Sequence, residues 1–258
     1  GAQKISMPLS SCRFPRPPDR PATARARGRS TLPAANRVSL YVDGFNFYYS
    51  TRNFGKKREA ELGYPVTGLC WCDFRALIER SGWLRPGERL EHIRYYTAAV
   101  TEAVDNPKRA GEPERQQLWL AALRTVNGVE IIEGFYRRKE TGGYREEKQT
   151  DVNLATDLLL DAVRQSFDRA IVLSGDADEI PAVLAVSCRL MKPREVTVLL
   201  PLPADREAYI TQLQQAKAQI QRRGDLTGIP AKVSVVQLCE QTLANSLLPY
   251  EKTGCPHY

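Results

Sequence analysis

From Val38 onward the chain alternates short apolar runs with amphipathic stretches, and this alternation is the strongest constraint on its fold. The apolar runs are rich in Val, Ile, Leu and Tyr and have the length of strands. The predicted strands are Val38–Val42, His92–Ala98, Val129–Glu133, Ala170–Leu173, Val196–Leu200 and Val233–Val236, and the predicted helices cover 73–81, 112–125, 151–165, 179–190 and 206–222. Strands that alternate with helices predict an α/β fold with a mostly parallel sheet covered on both faces.

The net charge is positive, but the excess lies at one end of the chain. The 258 residues hold 37 Lys and Arg against 30 Asp and Glu, a formal charge of +7. Such an excess favours a polyanionic partner such as RNA, DNA or an anionic membrane surface. Residues 1–36 hold seven basic residues and one acid, whereas 37–258 hold 30 basic and 29 acidic residues. The charge therefore indicates a basic tail on an almost neutral body.

Residues 1–36 have the composition of a disordered segment. They contain six of the 17 prolines and few large apolar residues, so they cannot bury enough surface to offset the entropy of ordering the chain. We predict a disordered basic Pro/Arg-rich tail over 1–36 and a single domain over 37–258. A transit peptide and a loose tether to phosphate backbones are the functional alternatives for the tail.

Several classes of protein are disfavoured by what the chain lacks. It has no run of about 18 apolar residues, so no transmembrane helix is predicted. Its N-terminus lacks the apolar stretch of a secretory signal, which predicts a cytoplasmic location. The six cysteines form no Cys-x-x-Cys pair and the chain has only two histidines. A structural zinc site and a Ser–His or Cys–His nucleophile are therefore disfavoured.

Acidic residues directly follow two of the predicted strands. The first strand is followed by Asp43-Gly44-Phe45-Asn46, and the fourth by Ser174-Gly175-Asp176-Ala177-Asp178. In an open parallel sheet, ligands bind at the carboxyl ends of the strands, so we expect these acids to lie at a binding site. The alternative for a single such Asp is a helix N-cap, an interpretation that two instances in one sheet weaken.

A third acid lies at the start of the helix predicted over 151–165. Its apolar positions define one face by their spacing: Val152, Ala155, Leu158, Leu159, Ala162 and Val163. At 100° per residue, Asp151 lies at the edge of that face, whereas Asp157 and Asp161 are predicted to project towards solvent. Asp151 can therefore join the acids at the carboxyl edge of the sheet.

A cluster of three or four carboxylates needs a counter-charge. Without a matching buried Arg, the carboxylates would repel one another unless a cation lay among them. Oxygen ligands without His or Cys suit Mg²⁺ or Mn²⁺. Such ions activate water and stabilise charge at a scissile phosphate. The sequence therefore predicts a Mg²⁺ or Mn²⁺ site.

Three ordered motifs resemble the NYN domain family, relatives of the PIN-domain ribonucleases with a LabA-like bacterial branch. The motifs are Tyr41–Asn46, Lys148–Ala155 and Leu173–Asp178, and the resemblance extends over about residues 37–248. It implies a PIN-like α/β/α sandwich with a mostly parallel central sheet. It also implies divalent-metal-dependent hydrolysis of RNA, and it identifies 37–258 as an NYN nuclease domain.

The resemblance also implies roles for individual residues. Asp43, Asp151 and Asp176 match the metal-binding acids, and Asn46 and Asp178 match polar positions that orient ligands, water or metal. The catalytic set implied is thus Asp43, Asn46, Asp151, Asp176 and Asp178.

One position departs from the family pattern. Glu179 stands where an apolar or aromatic residue is usual. It is either an acid favoured by the N-terminal dipole of a helix or an additional carboxylate at the site. Either role would alter the metal environment.

Binding of RNA requires positive charge beside the acids, and residues 137–148 are the best candidates. The predicted substrate-binding residues there are Lys148, Arg145 and Arg138, with Lys148 three residues before Asp151. The alternative is a solvated hairpin of mixed charge. Phe47, Tyr48 and Tyr49 follow Asn46 and are either core residues or faces on which bases stack.

The predicted function is that of a metal-dependent ribonuclease acting on RNA. Single-stranded RNA is favoured because a narrow acid-lined edge admits one strand more easily than a duplex. No side-chain nucleophile is required. A non-catalytic RNA-binding or regulatory module on the same fold is the main alternative, and a small-molecule phosphohydrolase is a third.

Overall fold

The computed structural model describes residues 36–62, 67–100, 111–138, 145–225 and 230–249, and between 135 and 148 it describes the backbone only. The predicted tail over 1–36 lies almost entirely outside these residues. The described part begins directly with a strand at Asn36, one residue before the predicted start of the domain.

The chain forms seven strands and seven α-helices within the described residues. The strands are β1 (Asn36–Asp43), β2 (Glu88–Ala98), β3 (Val129–Arg138), β4 (Arg145–Lys148), β5 (Arg169–Leu173), β6 (Glu195–Leu200) and β7 (Val233–Gln237). The helices are α1 (Gly44–Leu62), α2 (Phe74–Arg80), α3 (Glu112–Arg124), α4 (Thr150–Arg164), α5 (Ile180–Leu184), α6 (Arg206–Arg222) and α7 (Glu240–Ala244). A π-helical turn, Ala185–Arg189, continues α5.

All seven strands form one sheet with the order β4-β3-β2-β1-β5-β6-β7. Six of them are parallel, and only β4 pairs antiparallel, with β3. From β1 the chain builds outward through β2 and β3, then returns to place β5, β6 and β7 on the other side of β1. The order in which the chain adds strands to the sheet therefore reverses between β1 and β5.

Helices cover both faces of the sheet, as the alternation of strands and helices predicts. Alternate residues of β1 point to opposite faces. Val38, Leu40 and Val42 pack in one core with α1, α2 and α3. Tyr41 packs in the other core with α4, α5 and α6. The predicted α/β sandwich is confirmed.

The six predicted strands and the five predicted helices are present, but three elements were not predicted. Helix α1 buries Gly44, Phe47, Thr51 and Gly55. This face has helical spacing but small or polar residues at three of its four positions, so its apolar signal is weak. The short helix α7 and the polar edge strand β4 also lack a strong apolar period. The backbones of β3 and β4 pair antiparallel in the described parts of 137–148, and the choice between phosphate binding and a solvated hairpin of mixed charge stays a prediction.

The predicted inward face of α4 is correct at four of its six positions, since Leu158 and Ala162 are buried and Ala155 and Leu159 pack against the same core. Val152 and Val163 are exposed instead, and Asp161, predicted to project towards solvent, is buried. Asp161 faces the sheet because it accepts a hydrogen bond from the hydroxyl of Tyr41 at 2.7 Å and pairs with Arg94. Asp157 is half-buried and accepts a hydrogen bond from Tyr96 at 3.0 Å. A polar network between sheet and helix thus replaces part of the apolar face.

Candidate active site

The reversal of strand order brings the two strand-end motifs together. Strand β1 ends at Asp43 and its neighbour β5 ends at Leu173, directly before Ser174. Open α/β sheets bind ligands at the carboxyl edge where the strand order reverses. The acids that follow β1 and β5 therefore meet at the most favourable position in the sheet.

Asp43 is buried and held by two hydrogen bonds. The backbone N–H of Asn46 donates to Asp43 Oδ1 at 3.0 Å, and the hydroxyl of Ser174 donates to Oδ2 at 2.9 Å. Burial and, to a lesser extent, the neighbouring Asp151 and Asp176 raise the pKa of Asp43, the two hydrogen bonds lower it, and the net result is a pKa of about 6. The carboxylate has a defined orientation and is only partly stabilised in its charged form.

The loop after β5 is tied to the same point. Asn46 accepts a hydrogen bond from the backbone N–H of Gly175 through Oδ1, at 2.8 Å. The N–H of Asp176 donates to the Ser174 hydroxyl at 3.0 Å, and the N–H of Asp178 donates to Asp176 Oδ1 at 3.0 Å. Asn46 therefore joins the start of α1 to the β5 loop, and its oxygen serves this structural contact.

Asp151 reaches the cluster from the first turn of α4. Its pKa is raised by partial burial and by the negative charges of Asp176 and Asp178. The three elements that carry the motifs, β1, β5 and α4, therefore bring their acids within electrostatic range of one another.

Glu179 lies beneath this cluster. Its residue surface is 1% exposed, and neither carboxylate oxygen has a hydrogen-bond partner among the described residues. Burial, together with the negative charges of Asp43, Asp151, Asp176 and Asp178, raises the pKa of Glu179 to about 9. Of the two roles left open by the sequence, the geometry favours an additional carboxylate at the site.

The chemistry of this donor set fits a hard divalent cation. The cluster consists of carboxylates, which are preferred ligands of Mg²⁺ and Mn²⁺. A buried carboxylate without a partner is costly unless a cation or proton compensates it. Within the part of the chain that the structure describes, however, no three of the His, Cys, Asp and Glu side chains stand close enough to form a ready-made metal cage.

Of the predicted catalytic set, Asp43, Asn46, Asp176 and Asp178 are connected by hydrogen bonds through Ser174 and the β5 loop, and Asp151 lies within electrostatic range of Asp176 and Asp178. That these five residues act as one catalytic set stays a prediction. The three predicted phosphate-binding residues cannot be placed in the same way, because the side chains of Arg138, Arg145 and Lys148 lie outside the described part. Their backbone belongs to the β3–β4 hairpin, in which Lys148 pairs with Phe135 and leads into α4.

The aromatic residues after Asn46 divide between core and surface. Phe47 is buried in the core, which is the first of the two roles that the sequence predicted for it. Tyr48 and Tyr49 line a cavity of about 340 Å³ beside the acids. Trp71, Tyr95 and Trp119 also line it. These three residues lie far apart in the sequence, so no short motif predicts that they share a cavity.

Comparison with known proteins gives a match to a family model, a similar protein of named activity and a similar solved structure. The family model described as NYN domain matches residues 37–220. This match supports a nuclease-like fold and confirms the PIN-like α/β/α sandwich. No helix in the described ranges is both long and apolar enough to span a bilayer.

One relative is 6-hydroxy-3-succinoylpyridine 3-monooxygenase of Pseudomonas putida, which is 29% identical over 57% of this chain and 54% of its own length. The chain therefore spans about half the length of that relative. A crystal structure of a Vibrio parahaemolyticus protein of unknown function matches 85% of this chain and 100% of its own, with 17% identity and a TM-score of 0.49.

Proposed function

Because the chain belongs to the NYN domain family, we propose that it hydrolyses phosphodiester bonds of single-stranded RNA in a reaction that depends on Mg²⁺ or Mn²⁺. The observation that carries the proposal is the buried, unpartnered carboxylate of Glu179 beneath the Asp cluster. A buried carboxyl of this kind is compensated by a proton or by a cation, and a bound cation would lie where the strand order reverses.

Asp43, Asp151 and Asp176 would hold the metal, with Glu179 as a further acid ligand. When bound, such an ion activates water and stabilises negative charge at phosphate. Asn46 and Ser174 act as positioning residues, since their hydrogen bonds fix Asp43 and the β5 loop. Asp178 is exposed and can orient the attacking water. Lys148, Arg145 and Arg138 would contact the phosphates of the strand.

The test is cleavage of labelled single-stranded RNA with Mg²⁺ or Mn²⁺ by the wild type, Asp43→Asn and Asp176→Asn. We expect each substitution to lower the cleavage rate by more than about a hundredfold, because it removes a ligand charge at the metal. Asp225→Asn is the matched control, since Asp225 lies in a half-exposed pair with Arg189. Cleavage that persists in EDTA or in both site variants would exclude the metal mechanism.

The same assay distinguishes the non-catalytic alternative. A regulatory RNA-binding module would bind the labelled strand but leave it intact with either metal. Binding should then still depend on salt, because phosphate contacts release counterions.

A second candidate function follows from the named monooxygenase relative and from the aromatic cavity beside the acids. A cavity with aromatic walls is suited to a planar heteroaromatic compound. The test is oxygen consumption with 6-hydroxy-3-succinoylpyridine and a reduced nicotinamide cofactor. Turnover of that compound without RNA cleavage would favour oxidation over hydrolysis.

A further inference from the structure

The cavity and the acidic site share part of their walls. Gly44 lines the cavity and directly follows Asp43 in the chain. Tyr95 also lines the cavity, and a Cβ at Gly44 would lie 2.5 Å from Tyr95 Cζ. The cavity of about 340 Å³ therefore begins one residue from the buried carboxylate, and its volume falls within the range of ~300–1,000 Å³ typical of ligand pockets.

One wall of the cavity is an aromatic surface on α1. The rings of Phe45 and Tyr49 are stacked with centroids 6.0 Å apart and an interplanar angle of 17°. Tyr48 meets Tyr49 edge-on at 5.3 Å, and the guanidinium of Arg52 lies 5.9 Å from the centroid of the Tyr48 ring. Tyr49 is 40% exposed, so part of its side chain is accessible to an incoming base.

Two tryptophans provide a second aromatic surface. Trp71 and Trp119 meet edge-on with centroids 5.5 Å apart. Trp119 Nε1 donates a hydrogen bond to the hydroxyl of Tyr95 at 3.0 Å, which fixes the indole against the sheet. Large, rigid aromatic faces bind planar rings with little loss of conformational entropy.

The polar groups of the lining hold the walls in place. Gln116 accepts from the N–H of Val100 at 2.6 Å and donates to the carbonyl of Ala98 at 2.8 Å and to Thr97 Oγ1 at 3.3 Å. Its amide is therefore occupied by the protein itself. Arg52, Arg115 and Glu112 also line the cavity, with two positive charges against one negative. This lining provides stacking faces and a net positive charge.

We propose that this cavity holds one nucleobase of the RNA strand by stacking, beside the bond that the acidic site cleaves. The proposal rests on the proposed ribonuclease function. Base–aromatic stacking tolerates any base because every base has a π-face. The bound base would anchor the strand while its flanking phosphate lies at the acids. Cleavage therefore depends on the presence of a base at one position rather than on its identity.

The first experiment uses RNA strands with a single abasic site moved one nucleotide at a time. Cleavage by the wild type should fall about 5- to 150-fold when the abasic site lies at one fixed distance from the scissile bond, the loss expected for one stacking contact. Replacing that base by any of the other three should change the rate far less. Equal cleavage of all abasic strands would overturn the proposal.

The second experiment measures binding without cleavage. Strands that carry 2-aminopurine are titrated with the full chain in EDTA, and quenching of the probe reports stacking. Tyr49→Ala should reduce quenching and affinity by about 5-fold or more, and Tyr49→Phe, which keeps the ring, should retain both. Lys57→Ala is the matched control, because Lys57 is an exposed residue of the same helix that does not line the cavity.

The two experiments separate failure of the base site from failure of the ribonuclease. Quenching that requires the Tyr49 ring, without cleavage by the wild type, would uphold the base site and reject the hydrolytic function. Equal rates of cleavage for intact and abasic strands, and for wild type and Tyr49→Ala, would reject the base site and uphold the hydrolytic function. Tighter binding of free 6-hydroxy-3-succinoylpyridine than of any strand, measured by tryptophan quenching, would overturn the proposal in favour of a small-molecule site.

Discussion

At the scale of single residues, Glu179 has two roles that its sequence context cannot separate. Its position after Asp178 favours a helix N-terminal acid as readily as a ligand. In the structure it is buried, with both oxygens unpartnered and several Asp carboxylates nearby. Burial of an ionised carboxylate without compensation is unfavourable. The residue is therefore protonated near neutral pH unless a cation joins it.

The raised pKa of Glu179 predicts a pH dependence of stability in the absence of metal. A carboxyl whose pKa rises from 4.5 to about 9 on folding favours folding in its protonated form. Its contribution is fully present below the unfolded pKa and is lost as pH rises towards 9. In EDTA, the free energy of unfolding of the wild type should fall relative to Glu179→Gln between about pH 5 and pH 8, as measured by urea denaturation.

Added Mn²⁺ completes this test. The ion should raise the Tm of the wild type more at pH 8 than at pH 5, because metal ligands must be deprotonated. Glu179→Gln should respond less to the ion. Parallel stability curves for wild type and variant in EDTA would contradict the burial of a titrating carboxyl at this position.

At the level of elements, the site depends on how tightly α1 follows β1. Helix α1 begins at Gly44, directly after the last residue of the strand. A Cβ at Gly44 would lie 2.5 Å from the carbonyl oxygen of Tyr96 and 2.5 Å from Tyr95 Cζ. Only glycine permits this close approach, which holds Asp43 against the β5 loop. The glycine after Asp43 in the motif therefore has a packing role.

Gly44→Ala should lower the free energy of unfolding by about 1–3 kcal/mol, because the added methyl group forces β2 and α1 apart. Gly175→Ala is the matched control in the same site. A Cβ there would meet its nearest neighbours at 3.5 Å, an ordinary contact, and a change of about 0.5 kcal/mol or less is expected. Chemical denaturation of both variants provides the measurement. Equal free energies of unfolding for Gly44→Ala and Gly175→Ala would contradict this prediction and show that α1 can shift to accommodate the methyl group.

The polar network of α4 explains why periodicity alone misplaced part of its face. Asp161 replaces an apolar residue on the buried stripe because Tyr41 and Arg94 satisfy its carboxylate. A hydrophobic period counts Asp as an outward residue, so the predicted stripe shifts towards Val152 and Val163. Even so, Asp151 lies near the cluster, because its position at the start of α4 follows from the β4–α4 connection rather than from the stripe.

At the scale of the whole molecule, a buried ion pair lies at the amino ends of the strands, whereas the candidate site lies at their carboxyl ends. Arg169 stands at the start of β5 and joins three other segments. Its guanidinium donates to Glu88 on β2 at 2.9 Å, to Thr197 on β6 at 3.0 Å and to the carbonyl of Trp83 at 2.8 Å. The Arg169 and Glu88 side chains are each 5% exposed, so this is a buried ion pair.

Arg169→Met should lower the free energy of unfolding by about 3–5 kcal/mol, because it leaves Glu88 buried without its partner. Arg89→Met is the matched control, since its pair with Glu91 is exposed at the arginine end and should contribute about 1 kcal/mol or less. Urea denaturation measures both. The rate of RNA cleavage per folded molecule should be unchanged in both variants. A lower rate in Arg169→Met alone would show that the ion pair at the amino ends of the strands affects the site at their carboxyl ends.

The sequence by itself determined the order of the six parallel strands along the chain and the acids that follow two of them, because apolar runs and turn residues are local signals. The ends of α6 are likewise local, because Asp205 caps its first turn through the N–H of Ala208 and Gly224 follows its last turn with a positive φ. Only the tertiary structure decided which acid is desolvated, why Asp161 is buried and which aromatic rings share a cavity. Those properties depend on packing between residues far apart in the chain, and no local pattern encodes that packing.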